Sequence, residues 1–456
     1  MKPTHTLAEY VLSEKFENFP ERVIQQAKQM LLDNIGCAFG GYVTDVGKSL
    51  VEFAKGMGGN KETTIIGDGT KIPCLIGAGV NAQLSNILDF DETSKSGHLG
   101  SSTLQTALGV GEKIGSSGKR VIEAFVVGYE VANRISEAGD ISKLKERGAI
   151  PRSSDVFGPA IATAKLLDLD IEQVKQTIGI AGGIAPTKNV RRLIDRPSHM
   201  IKTGNLWFCW SGIVAAFLAL RGFIGPHDFL DGDKGFWSIF TDKVDFTTMT
   251  EKLGEYYYVS DQLQLKPWPT CRYIHPGIEL VLDILEKEGI GPEDIEKITF
   301  KSAEFVCSPP YNEPKPREMW DGFWSVPWGI ALAILGVEPG PDWWDKARFE
   351  DPVILSLAKK IKVEPLPEAT KAFKKRGIEG LVGEVEVKVK GRVFKKKTEG
   401  VKGDPLRPMT EQEIIGKFKS LSRNVIDEKL TNKMIEMAKN FEAIEDISQV
   451  TRLFKP

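Results

Sequence analysis

At 456 residues the chain is long enough for two or more domains, each with its own core. Hydrophobic residues make up 41% and charged residues 27%, the balance of a soluble globular protein, and a formal charge of −2 leaves no electrostatic footprint for nucleic acid. Five cysteines without CxxC spacing argue against a disulfide framework or a zinc site and point to a reducing cytoplasm.

The N-terminal "MKPTHTLAEYVLSEKF" lacks the apolar core of a signal peptide. From Leu7 to about Leu220 helical spacing dominates. "PERVIQQAKQMLLDNIGCAFGG" opens with Pro20 near a helix start and ends in glycines. "TLQTALGVGEKIG", "GKRVIEAFVVGYEVANRISEA", "GPAIATAKLLDL" and "IEQVKQTIGIAGGI" repeat the pattern, with glycines and alanines suited to close helix packing. The longest apolar run, Leu206–Leu220, is too short to span a bilayer and predicts a core helix.

After about Asp261 the pattern changes to period two in "IEKITFKSAEF", "KKIKVEPLPE" and "LVGEVEVKVKGRVFKKKTEG", the last predicting a hairpin that turns near Lys390-Gly391. Lys395, Lys396 and Lys397 then mark a solvated strand edge. Helical spacing returns in "TEQEIIGKFKSLS" and "LTNKMIEMAKNFEAI". The fold class expected is mainly α: a helical domain of residues 1–260 and 400–456, and an α+β unit with a small antiparallel sheet over 261–399.

Leu88–Gly100, "LDFDETSKSGHLG", concentrates three acids and one of the five histidines. A helix through Ile87–Thr93 would put Asp89 on one face with Glu92 and Thr93, and point Asp91 elsewhere. His98 follows in a Gly-flanked loop. Ser101, Ser102 and Thr103 are candidate caps for the next helix, whose N-terminus would attract an anion. Three readings compete: a capped helix end with a surface histidine, a metal site using the aspartates and His98, and metal-free acid–base catalysis. No third ligand follows in EF-hand register. Two further clusters pair histidine with a cation: Arg272 with His275 in "LKPWPTCRYIHP", and His199 with Lys202 in "DRPSHMIKTGN".

Four segments together resemble the MmgE/PrpD family, which includes 2-methylcitrate dehydratases, cis-aconitate decarboxylases and iminodisuccinate epimerases. They are "LDFDETSKSGHLGSST", "HMIKTGNLWFCWSGIVAAFLALRGFIGPHDFLDGDKGFW", "KPWPTCRYIHP" and "VKGDPLRPMTEQEIIGKF", in the family's order and nearly end to end. The resemblance implies a helical domain built from both chain ends, an inserted α+β lid, a homodimer, no metal or organic cofactor, and an active site between the domains. It implies that Asp89, Thr93, His98, Lys202 and His275 carry the chemistry, with Arg272 beside His275 and His199 able to share the role of Lys202. Ser101 at the following helix start and Trp328 are the further candidates at the substrate. One position departs from the pattern: Trp328 stands where the family has a tyrosine, and indole cannot deliver a proton as phenol can. Tyr311 and Tyr273 are candidates to replace it.

The reading these residues support is a lyase acting on a small di- or tricarboxylate, by dehydration or decarboxylation. His98 or His275 would move the proton, and Lys202 with Arg272 would hold developing negative charge. The alternatives are an isomerase or epimerase of a dicarboxylate, and a carboxylate-binding protein impaired by the Trp328 change. The expected partner is a small carboxylate, not nucleic acid or a membrane.

Overall fold

The computed structural model describes residues 2–146, 152–187, 198–202 and 204–455. The chain is mainly α. Helix α1 (Glu21–Tyr42) starts from Pro20, and α2 (Cys74–Asn86) follows a two-residue hairpin of β1 (Thr63–Thr64) and β2 (Lys71–Ile72). Then come α3 (Leu99–Ile114), α4 (Gly118–Ala138), α5 (Phe157–Leu166), α6 (Ile171–Gly183) and α7 (Gly204–Leu220). Along α2 every residue but Leu75 is buried, the mark of a helix enclosed by others. Small residues permit that closeness. A Cβ on Gly41 of α1 would stand 2.0 Å from the Leu84 carbonyl oxygen of α2, and one on Gly158 of α5 would stand 2.1 Å from Thr103 Oγ1 of α3.

The apolar run predicted as a core helix is α7, but one side is open: Trp207 is 42% exposed, and after the helix Phe223 and Ile224 reach 61% and 83%. Among the described residues no helix is long and apolar enough to cross a membrane.

Strands β3 (Ile295–Ser302), β4 (Ile361–Pro365), β5 (Val382–Val389) and β6 (Arg392–Glu399) form one sheet in the order β4-β3-β5-β6. The hairpin turns at Lys390-Gly391, both with positive φ (49° and 76°), which suits the twist of the flanking strands. The sheet differs from the antiparallel one expected, because β4 runs parallel to β3. Period-two alternation is the same for either direction. Parallel pairing needs a crossover, here supplied by α9 (Val326–Ile334) and α10 (Pro352–Lys359). Helix α8 (His275–Glu288) packs on β5 and β6. Along the edge strand β6, Lys395 pairs with Glu386 and Lys397 with Glu368, both at 2.7 Å, so charge guards the edge.

The last long helices, α11 (Glu411–Ser422) and α12 (Glu428–Lys439), lie against α1, with the Phe418 and Phe39 rings 6.3 Å apart. From α11 the buried Lys417 ammonium reaches Asp33 Oδ1 of α1 (2.6 Å), the Phe90 carbonyl (2.6 Å) and the Lys266 carbonyl (3.0 Å), 3.9 Å from the Phe90 ring centre. One cation thus ties both chain ends to the segment around Asp89. Replacing Lys417 by Ala leaves Asp33 buried and unpaired and frees two carbonyls. Urea unfolding should show a loss of about 3–5 kcal/mol, the usual cost of breaking a buried pair from one side.

Candidate active site

The helix expected through Ile87–Thr93 does not form. Helix α2 stops at Asn86, and Asp89 adopts φ 52°, a left-handed conformation that ends the helical path. Thr93 instead pairs through its backbone with Gln264, N–H to carbonyl in both directions at 2.9 and 2.8 Å. The segment between α2 and α3 is therefore a loop held at Thr93 by Gln264, and its three acids are buried.

Asp89 is the hub. Its Oδ1 accepts from Lys202 Nζ at 2.6 Å and Lys266 Nζ at 2.8 Å, and lies 3.5 Å from His98 Nε2. Lys266 Nζ also donates to the Asp89 carbonyl at 2.8 Å. Lys202 stands on the turn His199–Lys202 just before α7, its ammonium 5.8 Å from the Phe323 ring centre. Lys266 lies in the segment entering α8, locked by a 3.2 Å bond from Leu265 N–H to the Gly403 carbonyl. Gly403 has φ 93°, and a Cβ there would meet the Leu265 oxygen at 1.9 Å.

Asp91 and Glu92 form a second layer. Asp91 accepts from Asn86 Nδ2 at 3.0 and 2.8 Å and from Ser101 Oγ at 2.6 Å, with His98 Nδ1 3.3 Å away. Glu92 Oε1 accepts from the N–H of Gly100 at 2.6 Å and of Ser101 at 3.3 Å. The start of α3 is thus capped by Glu92. Ser101, Ser102 and Thr103 are not caps: the last two hydroxyls bond back to the Leu99 carbonyl, at 3.1 and 2.7 Å, and Ser101 turns to the acids. Glu92 already occupies the helix N-terminus that was expected to hold a substrate carboxylate.

Burial alone would push every acid here upward. For Asp89 the Lys202 and Lys266 ammoniums, helped by His98, override it and hold the carboxyl at about 2. Asp91 also lies below the usual carboxylate range despite burial, mainly through His98. Glu92 goes the other way, well above it, through burial and the charge of Asp91. Burial, with Lys266 and Lys202 adding to it against Asp91, brings His98 down to about 4. At neutral pH the imidazole is an uncharged ring between two carboxylates, and its side chain is 18% exposed where those of Asp89 and Lys202 are 2% and 5%.

The other expected residues make no hydrogen bond to Asp89 among the described residues. His275 is fully buried, with Nδ1 3.0 Å from Arg272 Nη1 and Nε2 3.3 Å from the Thr270 carbonyl. Both ring nitrogens are committed inside the protein, whereas the His98 ring beside Asp89 is partly exposed. Arg272 spends its guanidinium on Asp404 (2.6 Å) and the Lys402 carbonyl (2.8 Å), clamping the loop that locks Lys266. Thr93 Oγ1 bonds to the Ser94 carbonyl at 3.3 Å, and His199 is exposed with its ring 5.1 Å from Trp320. Trp328 is fully buried and stacked on Phe349, centroids 5.1 Å apart at 3°, the setting of a core residue. Tyr273 sits among Phe305, Phe373 and Tyr311. The Tyr311 hydroxyl lies 4.0 Å from Cys271 Sγ, and its phenol is raised well above its ordinary value by burial, with the charge of Asp89 among the further causes. Burial pushes the Cys271 thiol up to about 12, so it is no nucleophile.

Ligand atoms of Asp89, Asp91 and His98 lie within 4.8 Å of one another, the spacing a cation needs. The donor set does not fit one: Asp89 Oδ1 already holds two ammonium groups within 2.8 Å, and Asp91 is filled by Asn86 and Ser101. Sequence reasoning missed Lys266, although it opens the quoted "KPWPTCRYIHP", considered Asp91 only as a metal ligand, and assigned no role to Asn86 or Lys417. Alternating apolar and polar residues in "QLQLK" was the available signal that Lys266 comes from an extended, buried segment.

A family model for the MmgE/PrpD N-terminal domain matches residues 5–249, and one for the MmgE/PrpD C-terminal domain matches residues 268–443. The chain is 25% identical to the cis-aconitate decarboxylase of Homo sapiens, over 99% of this chain and 94% of that protein. It is 24% identical to that of Mus musculus, over 99% and 93%, and 22% identical to that of Aspergillus terreus, over 96% and 92%.

The His98 environment makes a pH prediction with a defined sign. A ring near 6.5 when unfolded and about 4 when folded leaves stability unchanged above pH 6.5. Between 6.5 and 4 the unfolded state binds the extra proton, so folding weakens as pH falls, by up to ~3 kcal/mol. As pH falls through this window, the wild type's urea midpoint should drop relative to that of His98→Gln.

Proposed function

The chain belongs to the MmgE/PrpD family, and on that premise we propose that it is a cofactor-independent lyase acting on a small di- or tricarboxylate. The observation that carries the reading is one buried carboxylate oxygen, Asp89 Oδ1, shared by Lys202 and Lys266 beside an uncharged His98. Two ammoniums gathered on one oxygen offer an incoming acid a pair of fixed cations. His98 is the proton-transfer group in the same place.

The relatives' names incline the chemistry toward decarboxylation. There a C–C bond breaks, carbon dioxide leaves, and the electron pair passes into an adjoining carboxylate that Lys202 and Lys266 can hold. The carbon then takes a proton, delivered by His98. An incoming polyanion raises the pKa of that ring, so substrate binding loads the proton. In the dehydration variant the neutral ring instead removes a proton from carbon. Tyr311, a neutral phenol close enough to sense the Asp89 charge, takes the donor place that Trp328 cannot fill.

Residues 261–399 act in this reading as a lid on a helical body of 1–260 and 400–456, supported by the packing of α11 and α12 on α1. The exposed Phe223 and Ile224 beyond α7 support a homodimer. A cytoplasmic location is proposed from the absence of paired cysteines, all five being free thiols.

Incubation with cis-aconitate, citrate, 2-methylcitrate and iminodisuccinate, read by mass and NMR, tests the reading. His98→Gln should lower turnover by about 10²–10⁴-fold with little change in folding. Lys202→Ala should both raise KM and slow the reaction, because a fixed charge serves bound substrate and transition state. Deuterium uptake without loss of substrate would move the assignment to an epimerase. Binding by calorimetry with no turnover of any acid would move it to a carboxylate-binding protein.

A further inference from the structure

Asp91 and Glu92 are adjacent buried acids that meet on one hydroxyl. Ser101 Oγ lies 2.6 Å from Asp91 Oδ2 and 3.0 Å from Glu92 Oε2, and accepts from Asn34 Nδ2 at 2.9 Å. A serine hydroxyl has one proton to give. Asp91 takes it at the shorter distance, and Asp91 also accepts two contacts from Asn86. That leaves the Glu92–Ser101 contact without a proton unless Glu92 supplies it. Glu92 is built to do so: Oε1 accepts from two backbone N–H groups, as a carbonyl oxygen does, and Oε2 faces only the hydroxyl.

We propose that Glu92 is a neutral carboxylic acid whose proton gives the chain Glu92–Ser101–Asp91 one hydrogen-bonding direction, so that Asp91 faces His98 as a pure acceptor. Asp91 Oδ1, 3.3 Å from Nδ1, then favours the His98 tautomer with its proton on Nδ1. The Nε2 lone pair, 3.5 Å from Asp89 Oδ1, is the site that substrate binding would protonate. Glu92, Ser101 and Asp91 are positioning residues; none touches the reacting atoms. The inference rests on His98 being the proton-transfer group of the proposed function. The charged and titratable groups around the chain fit it. Asp33 and Asp91 add negative charge near Glu92, disfavouring a second ionised acid, while Cys37 and Tyr129 beside it are held protonated by burial. Lys417 is spent on Asp33. His98 itself faces Asp89, Asp91, Lys202 and Lys266, and the Arg152 guanidinium lies against Gly97 next to it.

The test needs no substrate to begin. In ¹³C-glutamate-labelled protein one carboxyl should carry the protonated shift at pH 7 and lose it in Glu92→Gln, and ¹⁵N NMR should place the His98 proton on Nδ1. Glutamine reproduces every contact, its oxygen accepting from Gly100 and its amide donating to Ser101. Glu92→Gln should therefore keep the His98 tautomer, turnover within about threefold and the same pH limb. Ser101→Ala cuts the chain, and should mix the tautomers and lower kcat by about 10–100-fold with KM little changed. An ionised Glu92 in the wild-type spectrum, a proton on Nε2, or a pH limb displaced by Glu92→Gln overturns the proposal. Because the spectra are read without turnover, failure of every acid in the substrate screen would sink the lyase reading and leave the Glu92 protonation state decided on its own.

Discussion

Asp89 decides the shape of everything near it. A carboxylate this deeply buried carries a desolvation cost of several kcal/mol unless cations meet it. Two do, and they come from chain segments more than a hundred residues away: Lys202 before α7 and Lys266 before α8. The left-handed backbone at Asp89 is sustained by those contacts, since Lys266 grips both its side chain and its carbonyl. The loop, the turn before α7 and the segment entering α8 therefore converge on one oxygen atom. The clamp Arg272–Asp404 and the cation Lys417 serve the same end from outside, one holding the loop that locks Leu265, the other holding the Lys266 carbonyl.

Helices and strands governed by local pattern were legible in the sequence. The run from Gly118 to Ala138 and the Lys390-Gly391 turn appear where spacing and turn chemistry put them. What was not legible shares a cause: it is set by contacts between distant segments. The apparent helical face at Asp89, Glu92 and Thr93 dissolves because Thr93 finds Gln264 as a backbone partner and Asp89 finds two lysines. Ser101 looked like a cap by position, yet Glu92 had already satisfied the N–H groups it would have served. The direction of β4 could not be read, because alternation records burial and not strand polarity.

The same limit governs the site. Asp89, His98 and Lys202 could be drawn from motifs, and the structure brings these three together. His275 and Arg272 stand in an equally suggestive motif, but the His275 nitrogens are already bonded inside the protein while the His98 side chain stays partly exposed. Sequence spacing carries no such information. The bonds to Arg272 and Thr270 do.

Water exclusion links these features to the chemistry. Inside so closed a cluster each charge acts at a lower effective dielectric than in solvent, and small changes in charge count matter. With His98 neutral, and Glu92 neutral as proposed, Asp89 and Asp91 balance Lys202 and Lys266, and the resting site holds no surplus charge. In the proposed function a bound polycarboxylate would upset that balance toward negative, and His98 is the uncharged base beside it. The proton should therefore arrive with the substrate and leave with the product. An imidazole kept near 4 at rest is then matched to an anionic ligand rather than poorly tuned for neutral pH.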